Sequence, residues 1–178
     1  MKVIRIDLPL HDDVIQSLKA GDKVLFSGTI YTARDKAHEL LVKDIGSGKS
    51  LPFVIKQAVL YYTGPIVSDR TGRIISAGPT TSARMDTYTE QLLAAGVRGM
   101  IGKGYRSREV IEAIRKYRAI YFSTIGGAGV YLAKRIKAHR LVAFEELGVE
   151  AVYELQVEEF PCYVTIDSKG HGIFDNNY

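Results

Sequence analysis

The chain has 178 residues, 46% of them hydrophobic and 25% charged, with a net charge of +4; that composition fits one globular domain burying about 70% of its unfolded surface and excludes a disordered chain. Cys162 is the single cysteine, and His11, His38, His139 and His171 form no His-x-x-x-His pair, which excludes an internal disulfide and a zinc or iron–sulfur cage built from this chain alone. No apolar run reaches the ~18 residues needed to span a bilayer, and the opening residues read as a strand, so the expected location is cytoplasmic.

In chain order, Lys2 to Leu8 alternates Val3, Arg5 and Asp7 against Ile4, Ile6 and Leu8, the pattern of a strand with one buried face. Asp12 to Leu18 reads as a short helix ended by the Gly21-Asp22 turn. Lys23 to Thr32, broken at Gly28, reads as an extended pair or a bent strand. Thr32-Ala33-Arg34-Asp35 has the Thr-x-x-acid form of a helix cap, so a helix is expected from Arg34 to about Ile45. Gly46-Ser47-Gly48-Lys49-Ser50 imitates a phosphate loop, but Lys43 stands where the leading glycine is needed, and Leu51-Pro52 argues against the helix that should follow. It reads as a turn.

Ala58 to Tyr62 is strand-like, continues after Gly64-Pro65 through Ile66 and Val67, and is followed by a short apolar run from Arg73 to Ala77. Gly78-Pro79-Thr80-Thr81-Ser82-Ala83-Arg84-Met85-Asp86 comes next. With Gly78 as cap and Pro79 as first helical residue, the N–H groups of Thr80, Thr81 and Ser82 would point out of a helix start and attract an anion. Arg84 adds a planar fork suited to a carboxylate about one turn on. The helix is expected from Pro79 to Ala95, with Gly96 stopping it and Val97 to Ile101 entering a strand. Gly102-Lys103-Gly104 lets the backbone bend and brings an ammonium to a pocket floor.

Ser107 to Lys116 is an amphipathic helix and Arg118 to Thr124 a buried strand. Gly126-Gly127-Ala128-Gly129 opens a helix through Val130, Leu132 and Ile136; it lacks the third glycine of a dinucleotide fingerprint. Lys134 to Arg140 then reads as a solvated, cationic helix end in preference to a nucleic-acid face. Strands over Ala151 to Val157 and Tyr163 to Ile166 precede a turn at Ser168-Lys169-Gly170. No repeat or linker divides the chain, so residues 1–178 are read as one domain.

Arg34, Thr80, Thr81, Arg84 and Lys103 together suggest a cationic pocket gripping both ends of a small dicarboxylate. Gly78 to Asp86, followed by Gly102-Lys103-Gly104, resembles the β subunit or C-terminal domain of class I, iron–sulfur-dependent fumarase and L-tartrate dehydratase. Ala33-Arg34-Asp35-Lys36-Ala37-His38 is similar to the family's Gly-Arg-Asp-x-Ala-His pattern, with Ala33 in place of glycine. Tyr62-Thr63-Gly64-Pro65, the glycine run at Gly126, Phe160-Pro161 and Asp167-Ser168-Lys169-Gly170 extend the likeness over nearly the whole chain. Ser82-Ala83 departs from it, standing where relatives often have Ala-Gly.

The resemblance implies an α/β, swivelling β/β/α fold of mixed sheets with packed helices. It also implies an α subunit, in an α2β2 assembly, whose three cysteines hold a [4Fe-4S] cluster with one open iron, and no metal on this chain. The implied reaction is reversible hydration of fumarate to L-malate, a tricarboxylic acid cycle step, with dehydration of L-tartrate to oxaloacetate as the close alternative. Such a reaction needs a polarised hydroxyl, proton removal at the neighbouring carbon, and stabilisation of the aci-carboxylate that results. By resemblance, Arg34, Thr81, Arg84 and Lys103 bind substrate, Arg84 and Lys103 also serve catalysis, and Thr80 stands where the family's proposed base does. His38 is open between a supporting partner of the site and a helix-surface histidine, and Tyr105 and Arg106 between site and subunit interface. A reading of another class is a non-catalytic dicarboxylate-binding or regulatory module.

Overall fold

In the computed structural model, which describes residues 3–174, the opening alternation becomes β1 (Val3–Asp7); Lys2 lies outside the described residues. The elements that follow are α1 (Asp12–Ser17), β2 (Lys23–Thr32), α2 (Asp35–Gly46), β3 (Val59–Tyr61), β4 (Ile66–Val67) and β5 (Ile74–Ser76). Then come α3 (Asp86–Ala95), β6 (Gly99–Gly102), α4 (Arg108–Tyr117), β7 (Ile120–Ser123), α5 (Gly129–Ala133), β8 (Ile136–Ala143) and β9 (Val152–Ile166).

Parallel pairing joins β1 to β2, β2 to β3, β3 to β6 and β6 to β7. β9 runs antiparallel to β2 along one edge, and along its other edge to β8 near its start and to β7 near its end. The sheet therefore folds back on itself, with β2, β3, β6, β7 and β9 forming a closed ring. β4 and β5 make a separate antiparallel hairpin.

Alternation along the strands sorts the apolar side chains to two sides. Phe26, Ile30, Tyr61, Ile101, Phe122, Leu155, Phe160 and Val164 pack inside the ring, capped by Ile15 of α1, Leu18 just after it and Leu132 of α5. Leu60, Tyr62, Met100 and Tyr121 point the other way, against Ala37 and Leu41 of α2, Leu92 and Leu93 of α3, and Val110 and Ile114 of α4. Each such large side chain, once buried, contributes about 1.5–3 kcal/mol, so both layers drive closure of the sheet.

One expectation left open is resolved, and others change. β2 is one bent strand: its register with β9 shifts between Phe26 and Gly28, where Gly28 has φ +120° and a Cβ would stand 3.0 Å from the Leu8 Cβ. β9 is also one strand, not two, because Pro161 is accommodated in the ladder opposite Leu25. Thr32 does not cap α2. Its buried hydroxyl donates to the Ala151 carbonyl and accepts from the Tyr153 N–H, and Arg34 takes the cap position. The helix opened by the Gly126 run stops at Ala133, and Lys134 to Arg140 is largely the start of β8, not a helix end. Lys137 and Arg140 meet Glu158 and Glu154 across the β8–β9 pair at 3.3 and 3.1 Å, so cross-strand acids, and not a helix dipole, receive these cations.

Candidate active site

The carboxyl ends of β2, β3 and β6 lie side by side, and the carboxyl ends of parallel strands are where α/β folds place ligands, in open sheets and barrels alike. β2 is followed by Arg34, β3 by Tyr62-Thr63-Gly64, and β6 by Lys103. The Thr80 N–H donates to the Tyr62 carbonyl at 2.6 Å, and Thr81 forms a parallel bridge with Lys103. Arg34 reaches over Gly64, where a Cβ would stand 3.0 Å from its Nη1. The structure thus brings Arg34, Thr80, Thr81 and Lys103 onto one rim.

The loop that carries the threonines is not a helix start. Thr80 and Ser82 spend their N–H groups on the Tyr62 and Lys103 carbonyls, so two of the three donors expected to meet an anion are consumed. Tyr61 and Thr63 hydroxyls donate to the Ala77 and Gly78 carbonyls at 2.5 and 2.7 Å, stapling Gly78-Pro79 along the end of β3. A short 3-10 turn over Ser82–Met85 leads into α3, which begins at Asp86. Sheet-like pairing to neighbouring chain outcompeted the helix signal of Gly78-Pro79. Anion binding here therefore falls to side chains.

Two of those side chains, Arg84 and Arg34, are tied to the acids Asp35 and Glu150. Arg84 grips Asp35 with two parallel bonds, Nε to Oδ1 at 2.8 Å and Nη2 to Oδ2 at 2.5 Å. Its hydrogen bond holds the Asp35 carboxyl below the usual carboxylate range. Arg34 stands 3.7 Å from Asp35 and 3.5 Å from Glu150, the latter on a kinked 3-10 segment, Glu145–Glu150. Arg84 Nη1 takes no part in that pair, and Arg34 Nε is buried without a hydrogen-bond partner among the described residues. Thr81, Arg84 and Lys103 are exposed. The Arg34-Asp35 adjacency was a visible signal for one acid; Glu150 is 116 positions from Arg34 and carried none.

The residues left open by the sequence now separate. His38 is fully buried on α2, edge-on to Tyr62, with Nδ1 2.9 Å from the Arg34 carbonyl; it is not a surface histidine. Tyr105 is 59% exposed and packs against Phe174. The Arg106 side chain has no exposed area and is held by Asp86, Thr89 and the faces of Tyr62 and Tyr121. It belongs to the packed interior. Cys162 is wholly buried, and burial pushes its thiol well above its usual pKa. Among the described residues no group of three or more His, Cys, Asp or Glu side chains converges on a metal position. No helix among them is long and apolar enough to cross a membrane.

Fold and rim together define an α/β domain that presents cations and hydroxyls at the carboxyl ends of parallel strands. A family model described as "Fumarase C-terminus" matches residues 1–177, and the chain belongs to that family. It is 36% identical over 179 residues to aerobic class I fumarate hydratase of Escherichia coli K12, an alignment covering 97% of this chain and 33% of that protein. It is also 36% identical to fumarate hydratase 2 of Leishmania major, over 96% of this chain and 31% of the relative. The same identity relates it to the Methanocaldococcus jannaschii protein named "Putative L(+)-tartrate dehydratase subunit beta", over 90% of this chain and 86% of that one. The chain thus spans about a third of the length of the fumarate hydratases it matches.

Proposed function

We propose that this chain is the β part of a hydro-lyase acting on a four-carbon dicarboxylate, with fumarate and L-malate as its substrate pair. The observation that carries the reading is the single rim on which Arg34, Thr80, Thr81 and Lys103 converge, with Arg84 coupled to it through Asp35. Arg34 follows β2 and Lys103 follows β6, with the threonines held at the intervening end of β3 and beside Lys103, an order of cation, hydroxyl and cation that suits a dianion.

In this reading Arg34, Arg84 and Lys103 bind the two carboxylates, with Thr81 adding a hydrogen bond. Each charge-assisted bond is worth about 1.5–3 kcal/mol. Those bonds strengthen as a proton leaves the carbon next to one carboxylate and charge builds on its oxygens. Thr80 is the candidate acceptor of that proton as an alkoxide, its own hydroxyl proton having first passed to solvent and its charge being favoured by the neighbouring cations. Asp35 orients the Arg84 fork while leaving it donors for substrate. The fold is read as the swivelling β/β/α domain of the family. A cytoplasmic α subunit, paired with this chain as α2β2, holds the [4Fe-4S] cluster and so supplies the group that polarises the hydroxyl. L-Tartrate is the second substrate reading, supported by the M. jannaschii relative, most of whose length aligns with this chain.

The test is to co-express the chain with a cluster-bearing α subunit, reconstitute iron and sulfide anaerobically, and assay fumarate, malate and tartrate. Turnover of fumarate and malate by the pair supports the proposal, and turnover of tartrate alone transfers it to the second reading. Full activity from this chain by itself overturns the shared site. Dicarboxylate binding without any turnover would reduce the chain to a binding module.

A further inference from the structure

Lys103 is exposed directly after the buried end of β6, between Gly102 and Gly104, and a long flexible ammonium is only as well placed as the backbone beneath it. That backbone is held by two buried hydroxyls outside the proposed substrate contacts. The Lys103 N–H donates to the Ser82 Oγ at 3.1 Å, while the Ser82 N–H donates back to the Lys103 carbonyl at 2.9 Å. The Tyr121 hydroxyl lies 3.0 Å from the same Ser82 Oγ and 2.9 Å from the Gly104 carbonyl.

Proton accounting gives these contacts one direction. The Gly104 carbonyl can only accept, so the Tyr121 O–H donates to it; the Lys103 N–H can only donate, so the Ser82 Oγ accepts from it. The remaining Ser82 proton then goes to the Tyr121 oxygen. The bonds run from Lys103 N–H through Ser82 and Tyr121 to Gly104 C=O and bracket the Lys103–Gly104 peptide on both sides.

Both hydroxyl bearers are themselves fixed. Ser82 and Tyr121 are fully buried. The Arg106 guanidinium lies 5.0 Å from the Tyr121 ring centroid and is locked by Asp86 at 2.7 Å and Thr89 at 2.6 Å. A Cβ at Gly102 would stand 2.0 Å from the Ser82 Oγ, so the glycine before Lys103 makes room for this hydroxyl.

We propose that Ser82 and Tyr121 are positioning residues that set where the Lys103 ammonium stands against a substrate carboxylate. The inference rests on the assignment of Lys103 under the proposed function. Its test is a double-mutant cycle in the assembled two-subunit enzyme: Ser82→Ala and Tyr121→Phe, each made with Lys103 present and in a Lys103→Ala background. The readouts are kcat/KM and the calorimetric Kd for succinate, a non-reacting dicarboxylate, and circular dichroism checks the fold of each variant.

With Lys103 present, each substitution should lower kcat/KM and succinate affinity by about tenfold, the scale of one lost hydrogen bond. In the Lys103→Ala background the same substitutions should cost less than about twofold. An equal loss in both backgrounds would mean that the hydroxyls merely support packing, and would overturn the proposal, as would unchanged kinetics with Lys103 present. If Tyr121→Phe fails to fold, Ser82→Ala decides alone. Wild-type turnover by Lys103→Ala would instead remove the role of Lys103, a failure of the parent assignment.

Discussion

Burial decides the charge state of His38. Its Nδ1 must donate to the Arg34 carbonyl, which can only accept, so Nε2 carries the lone pair, and no donor meets it among the described residues. Loss of hydration lowers its pKa from 6.5 to about 4; the Arg34 carbonyl opposes that shift, Arg106 adds to it and Asp35 opposes it weakly. The folded pKa lies below the unfolded one, so stability is complete above pH 6.5 and is lost as pH falls toward about 4. The ceiling on that loss is roughly 3 kcal/mol. His38→Phe should flatten the dependence of unfolding free energy on pH in this window, as urea titrations at pH 7, 6, 5 and 4 would read. An unchanged slope would mean that other groups govern acid sensitivity. On the rim, Arg84→Ala should lower turnover by about a hundredfold or more, the scale of two lost charge-assisted bonds, while the subunits still co-purify; near-normal turnover would remove Arg84 from the site.

At the scale of elements, the join between β6 and the Gly78–Met85 loop is the tightest packing around the rim. A methyl at position 102 would meet the Ser82 Oγ at 2.0 Å and a Tyr62 ring carbon at 3.0 Å. Gly102→Ala should therefore cost about 1–3 kcal/mol. Adding Ser82→Ala should recover part of that loss, because the closest atom is gone while the Ser82 Cβ, at 3.3 Å, remains. Thermal melts of the single and double variants check this, and additive losses would count against it. Most strands and helices were legible because each carries its own periodicity, as in Val3–Asp7 and Arg108–Tyr117. The start of α3 was misread because its signal, Gly78-Pro79, is local, while the Tyr62 and Lys103 carbonyls that claim the next N–H groups come from distant chain. β8 was misread for the same reason, its cations being answered by acids on β9. Arg34, Thr80, Thr81 and Lys103, which converge on the rim, stand out in the sequence as candidate ligand groups, and Asp35 is signalled by its place beside Arg34; Glu150 and Tyr121 carry no such signal, since their anchoring contacts depend on the fold.

For the whole molecule, the closed strand ring makes the two cores mechanically one. β3 contributes Leu60 to the helix side and Tyr61 to the ring interior, and β7 likewise contributes Tyr121 and Phe122 to opposite sides. Neither core can lose its packing without loosening strands that also wall the other, and β9 joins β2 to β7 across the closure. Unfolding should therefore be a single cooperative transition, although α2, α3 and α4 pack on one face only. Phe26→Ala, inside the ring, and Leu60→Ala, beneath the helices, should each lower stability by about 2–5 kcal/mol and shift one common transition. Far-ultraviolet circular dichroism and tyrosine fluorescence, recorded on the same urea series, should report coincident midpoints for the parent chain and both variants. A helix signal lost at lower urea than the tyrosine signal in Leu60→Ala would show that the helical layer melts by itself. The rim would then rest on strands whose helical cover is separately labile, and not on one rigid unit.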